Sequence, residues 1–95
     1  MCGICGIFNT NYEKPVDSST LEKMCSTLIH RGPDDQGIYA RGHVGLGSRR
    51  LSIIDLESGK QPIHNEDETI WIVLNGEIYN YPDLTRLLIH RGHSF

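Results

Sequence analysis

Hydrophobic and polar positions divide this chain into short strands and two helices. Residues 4–8, Ile-Cys-Gly-Ile-Phe, read as a short buried strand. Residues 9–18 are polar, rich in turn formers and contain Pro15, so they read as a loop. Leu21, Met24, Cys25, Leu28 and Ile29 then recur at i, i+3, i+4, i+7 and i+8, one face of a helix. Ser19 and Glu22 fit a capping box at its start, each side chain meeting the other's backbone amide. His30 and Arg31 fall in the expected last turn, Gly32 supplies the stop, and Pro33 cannot continue the helix.

The period then shortens. Residues 37–40 and 43–47 predict a hairpin turning at Arg41-Gly42, residues 50–55 alternate less cleanly as strand or loop, and Glu57-Ser58-Gly59-Lys60 is turn chemistry. Residues 69–74, Thr-Ile-Trp-Ile-Val-Leu, predict a strand, and their continuous apolarity predicts burial on both faces. Asn75-Gly76 ends it. Asn80 is placed to cap a second helix with Pro82 and Asp83 in its first turn, Leu84, Leu87 and Leu88 on its apolar face, and Gly92 at its end. Ser94-Phe95 begins a further strand that lacks a partner, which predicts a cut inside a domain. The pentapeptide Leu-Ile-His-Arg-Gly occurs at 28–32 and again at 88–92. The match does not extend outward, so it is one helix ending used twice.

Composition narrows the class. Ninety-five residues make one small domain or part of a larger one, and 38% hydrophobic against 22% charged residues is enough for a core. The best apolar run, residues 70–74, is far short of the ~20 residues that cross a bilayer, so no membrane role is expected. Met1-Cys2-Gly3-Ile4 has no basic region before an apolar stretch, which argues against a secretory signal. A formal charge of −3 argues against a nucleic-acid binder. Cys2, Cys5 and Cys25 cannot all pair within one chain, which points to a reducing compartment and a soluble cytoplasmic protein.

Four segments carry candidate chemistry. Removal of Met1 would leave Cys2 with a thiol and a free α-amine on one residue. Such groups have reference pKa values within about one unit of each other, so proton transfer near neutral pH is nearly balanced. A thiolate attacks an amide carbonyl well. On position alone the plainer reading, a small buried cysteine, is favoured. Cys2-Gly-Ile-Cys5 is also formally a thiol pair, but it sits in a strand-like run and the five histidines lack metal-ligand spacing, so redox or zinc chemistry ranks below the nucleophile and no metal is expected.

Asn75-Gly76 is a turn signal, and it is also two donors, a side-chain amide and a backbone N–H, that can meet at one oxyanion. Glu77 beside them is an acceptor suited to an ammonium group. Arg49-Arg50 precede residues 51–54, Leu-Ser-Ile-Ile, where one arginine can clamp a carboxylate or make a structural ion pair. His30-Arg31-Gly32-Pro33-Asp34 reads as a helix stop and turn whose packed charges can brace a site.

Together, Met-Cys-Gly-Ile at the start, His-Arg-Gly-Pro-Asp at 30–34, Arg-Arg-Leu-Ser-Ile-Ile-Asp at 49–55, Gln-Pro at 61–62 and Asn-Gly-Glu-Ile-Tyr-Asn at 75–80 resemble the class II glutamine amidotransferase domain. They are most similar to the N-terminal domain of the glutamine-hydrolysing asparagine synthetase family, over essentially the whole chain and in order. The resemblance implies an α+β fold, the N-terminal portion of the four-layer αββα sandwich of N-terminal-nucleophile hydrolases. It implies that residues 1–95 are a partial type-2 amidotransferase domain, lacking the rest of that domain and an ATP-dependent synthetase domain.

It also implies roles. Cys2 attacks the glutamine side-chain amide with its α-amine as base, and Asn75 and Gly76 hold the oxyanion. Arg50 takes the α-carboxylate, with Leu51, Ser52, Ile53 and Ile54 lining the pocket, and Glu77 helps hold the α-amine. Arg31 and Asp34 support the site. The ammonia would serve asparagine synthesis from aspartate. No cofactor is implied for this segment, and ATP and magnesium belong to the missing domain. The implied partners are L-glutamine and the downstream domain, with a homodimer allowed.

Ser48 stands where the family often has His. The family's further substrate-binding Asp follows a Gly-His-x-Phe segment, here Gly92 to Phe95, and so falls beyond this chain. The chain alone is therefore expected to be a weak or inactive glutaminase. Two other readings stand beside this one: a related amidotransferase with another acceptor, and a non-catalytic truncated module.

Overall fold

The first helix meets the sheet through glycines. In the computed structural model, which describes residues 2–51 and 60–95, β1 (Gly3–Phe8), β2 (Asp35–Arg41) and β3 (Val44–Arg50) form an antiparallel sheet in the order β1-β3-β2. Helix α1 (Ser18–Ser26) connects β1 to β2 and packs on one face of that sheet. Side chains alternate between faces along a strand, and on the α1 side β3 presents Gly45 and Gly47. A Cβ on Gly45 would lie 2.6 Å from Leu21, and one on Gly47 would lie 2.6 Å from the Cys25 sulfur. The bare backbone lets α1 sit down on the strand, and Leu21 and Cys25 become fully buried.

The expected apolar face of α1 therefore holds, but its ends shift. The N-cap is Asp17, which accepts from the Ser19 N–H, not Ser19 with Glu22. A carboxylate one residue before the helix satisfies the open amides directly. The helix ends at Ser26 with Thr27 as C-cap, so His30 and Arg31 lie beyond it in a turn closed by Leu28. The hairpin between β2 and β3 turns at Gly42-His43, one residue later than expected, because Arg41 pairs with Val44. Gly42 takes the left-handed φ of +57° that the first turn position requires.

The opposite face of the sheet receives the later chain. Strands β4 (Ile63–His64) and β5 (Trp71–Ile72) form a separate two-stranded ribbon, and Trp71 stacks on Tyr39 of β2 with ring centroids 3.8 Å apart. Only two of the six residues expected as a buried strand are strand, and Ile70, Ile72 and Leu74 are exposed. The ribbon reaches the sheet through this aromatic pair, and Trp71 is half-buried while these apolar positions stay exposed. The turn of the ribbon is built by Asn65, whose Oδ1 accepts from the backbone of Thr69 and Ile70.

Helix α2 (Tyr81–His90) starts at Asn80 with Pro82 and Asp83 in its first turn, as expected, but the Asn80 side chain makes no capping bond. Gly92, with φ +94°, ends it: its N–H donates to Ile89 and that of His93 donates to Leu88, the paired bonds of a Schellman stop. Leu84 and Leu87 are exposed and Leu88 is half-buried, so the expected apolar face of α2 is only partly covered by the described residues. Ser94-Phe95 is not assigned as strand. The architecture is α+β with antiparallel sheets. Among the described residues no helix is long and apolar enough to cross a membrane.

Candidate active site

Two distant stretches of chain converge on the peptide of Cys2. Arg31 Nε donates to the Cys2 carbonyl at 3.0 Å, and Asn75 Nδ2 donates to the same oxygen at 3.0 Å. Arg31 comes from the turn after α1 and Asn75 from the segment after β5. Cys2 lies directly before β1, half-buried, next to the buried Gly3. A Cβ on Gly3 would contact Leu28 and the Arg31 side chain, so the missing side chain lets the turn close over the strand start.

Arg31 is held in turn by backbone packing. A Cβ on Gly32 would fall 2.4–2.6 Å from the backbone of Arg49 and Arg50. The residue read as a helix stop is instead a point of close approach to β3. Arg49 fastens it, its Nε donating to the Gly32 carbonyl at 2.7 Å and its Nη1 donating to Gln36 at 2.9 Å. The two arginines thus point to different partners, as adjacent strand residues must. Arg50 is largely buried and bonded to Asp35 at 3.2 Å, its register partner across the hairpin. The structural alternative for Arg50, an ion pair, is therefore present. Asp34 joins the same stretch, its N–H donating to the Arg50 carbonyl.

Asn75 is placed by a residue that sequence reasoning did not single out. The Gln61 side chain acts as a surrogate strand: its Oε1 accepts from the Leu74 N–H at 2.7 Å and its Nε2 donates to the Leu74 carbonyl at 3.0 Å. Gln61 itself rests on β2, where a Cβ on Gly37 would lie 1.6 Å from the Gln61 carbonyl oxygen. The only sequence signal was Gln-Pro at a matching place in the family pattern. Neither its chemistry nor its spacing announces a backbone clamp on residue 74.

Asn75, Gly76 and Glu77 follow Leu74 directly and are exposed. The Asn75 amide has two N–H donors, one of which is committed to Cys2. Leu51, at the end of β3, is also exposed. Ser52, Ile53 and Ile54, expected to line the pocket, lie outside the described residues, as does Met1.

The Cys2–Cys5 thiol pair weighed from sequence is not what the fold assembles. Cys5 instead faces Cys25 of α1, with the sulfurs 3.6 Å apart. Burial above all, then the hydrogen bond and charge of Cys25, pushes the Cys5 thiol up to about 11. Among the described residues no group of three or more His, Cys, Asp or Glu is placed to hold a metal ion.

Comparison with known proteins identifies the family. The family described as the glutamine amidotransferase domain matches residues 1–95. The chain is 50% identical over its whole length to asparagine synthetase [glutamine-hydrolyzing] 1 of Bacillus subtilis, of which it covers 15%. It is 45% identical to the probable asparagine synthetase [glutamine-hydrolyzing] of Dictyostelium discoideum, covering 17% of it. Against asparagine synthetase [glutamine-hydrolyzing] 1 of Arabidopsis thaliana the identity is 39%, with 16% of that protein covered. The chain thus spans about a sixth of the length of these relatives.

Proposed function

The chain belongs to the glutamine amidotransferase domain family, and we propose that it forms the N-terminal part of the glutaminase domain of a glutamine-hydrolysing asparagine synthetase. The observation that carries this reading is the junction at Cys2, where Arg31 and Asn75, from two distant segments, both donate to one carbonyl oxygen. A nucleophile at a chain start needs such fixing, because a terminal residue is otherwise free to move.

In the proposed reaction Met1 has been removed, and the Cys2 thiol passes its proton to its own α-amine through water. The thiolate attacks the side-chain amide of glutamine. Negative charge develops on the carbonyl oxygen, which the second Asn75 N–H and the Gly76 N–H stabilise. Asn75 thus ties the oxyanion donor to the backbone of the nucleophile, so both move together. Ammonia leaves with the proton from the α-amine, and water hydrolyses the glutamyl thioester.

Arg50 takes the glutamine α-carboxylate while Asp35 fixes its guanidinium. Leu51 to Ile54 line the pocket, and Glu77 helps hold the α-amine. The ammonia then serves asparagine formation from aspartate, with ATP and magnesium, in the part of the relatives' length that this chain does not span. The proposal includes the complete four-layer αββα sandwich, residues 1–95 being its N-terminal part. The helix on one sheet face and the ribbon on the other support it. A cytoplasmic setting fits three free cysteines, and a homodimer is included as the assembly.

The test is Cys2→Ala in the full-length protein. Glutamine hydrolysis and glutamine-dependent asparagine formation are expected to vanish while formation from added ammonia persists. Undiminished glutamine hydrolysis by this variant would overturn the proposal.

A further inference from the structure

We propose that Cys5 and Cys25 form a second thiol site, separate from Cys2, which a small-molecule disulfide such as oxidised glutathione converts to an intrachain β1–α1 disulfide. Their sulfurs already lie 3.6 Å apart, on elements joined by a long connection. The space between them is made by Gly47. A Cβ there would meet the Cys25 sulfur at 2.6 Å and the Cys5 sulfur at 2.7 Å, so any other residue would wedge the thiols apart.

The two thiols differ in access. Cys25 is fully buried, whereas Cys5 is half-buried and opens into a groove of about 410 Å³ between β1 and α1. Lys23 lines that groove and gives it a cation suited to the carboxylates of a glutathione-like molecule.

This asymmetry orders the chemistry. The Cys5 thiolate attacks one sulfur of the small disulfide. That S–S bond breaks, one small thiolate leaves and takes up a proton, and Cys5 carries a mixed disulfide. Cys25 then gives up its proton and attacks the Cys5 sulfur, and the second small thiol leaves with a proton. The protein loses two protons and two electrons, and the small disulfide takes them up to become two thiols. The raised Cys5 pKa makes the first step slow at neutral pH, so its rate climbs about tenfold per pH unit while the thiolate is scarce. The bridge fastens β1, which begins at Gly3 directly after Cys2, and so bears on the proposed nucleophile's footing.

The experiment treats the native full-length protein, freed of reductant, with oxidised glutathione. Remaining thiols are then alkylated and the protein is digested and mapped by mass spectrometry. The expected result is a Cys5–Cys25 linked peptide, forming faster at higher pH, and a Cys25→Ser variant that halts as a Cys5–glutathione adduct. Should Cys25→Ser fail to fold, Cys5→Ser at the less buried end serves, and it must leave Cys25 as a free thiol. A wild-type adduct that stays on Cys5 unresolved, a Cys2–Cys5 bridge, or both thiols still free would overturn the proposal.

Discussion

Replacing Gln61 by Ala tests whether the proposed oxyanion donor is positioned from a distance. The substitution deletes two hydrogen bonds to the Leu74 backbone, at 2.7 and 3.0 Å, and touches nothing in the proposed chemistry. A protein hydrogen bond contributes about 0.5–1.5 kcal/mol net, so the pair contributes about 1–3 kcal/mol. Leu74 is 39% exposed, and water can take over its freed backbone groups. The expected loss therefore sits in the lower half of that range, about 1–1.5 kcal/mol. If the loss is expressed at Asn75, kcat/KM for glutamine falls about 5- to 13-fold. The assay is glutamine hydrolysis by the full-length protein, run beside a urea unfolding curve. Gln61→Glu is the companion variant: it keeps the acceptor for the Leu74 N–H but sets a carboxylate against the Leu74 carbonyl, and it is expected to lose at least as much. A folded Gln61→Ala protein with wild-type kcat/KM would refute the argument, as would a loss confined to stability.

Gly32→Ala is expected to cost about 1–3 kcal/mol, because its Cβ meets only β3 backbone and cannot be accommodated by a side-chain rotation; a lower urea midpoint with an unchanged m-value checks it. Arg50→Lys is expected to raise the glutamine KM about 10-fold or more with a smaller effect on kcat, since an ammonium cannot serve Asp35 and a carboxylate as a planar fork does; steady-state kinetics separates the two. The Asp17 carboxyl lies below its ordinary value, held there by the side chain and then the backbone N–H of Ser19. A lowered folded pKa means that its contribution to stability is present above the unfolded value, near 3.8, and is lost as the pH falls through the folded one. Asp17→Asn should therefore keep the helix start at neutral pH and flatten the acid limb of a melting-temperature profile, while Asp17→Ala loses stability already at pH 7.

The elements that could be read from sequence are those whose cause is local. The 3.6-residue spacing from Leu21 to Ile29 identifies the apolar face of α1 without any partner, and Pro82, Asp83 and Gly92 mark the ends of α2 through backbone chemistry alone. Cap identity was less legible, because Asp17 and Ser19 are both good caps and only the path of the preceding loop selects between them. The strand expected at 69–74 failed for a related reason. Apolarity records that residues are suited to burial, not that a partner is in place: Trp71 finds Tyr39, while Ile70, Ile72 and Leu74 stay exposed.

Cys2, Arg31 and Asn75 could each be singled out by type and neighbours, so the chemistry of the candidate site was written along the chain. Their meeting was not: Arg31 and Asn75 lie 29 and 73 residues from Cys2 and share one oxygen only after the fold has closed. The same holds for the residues that place them. Gln61 clamps Leu74, Arg49 pins Gly32, and Cys25 finds Cys5 across Gly47, each through a contact whose partners no periodicity connects. Local order depends on neighbours within a few positions, and the sequence states those directly. Which side chain fills the space left by a glycine depends on how the sheet and α1 come together, and only the tertiary structure decides that.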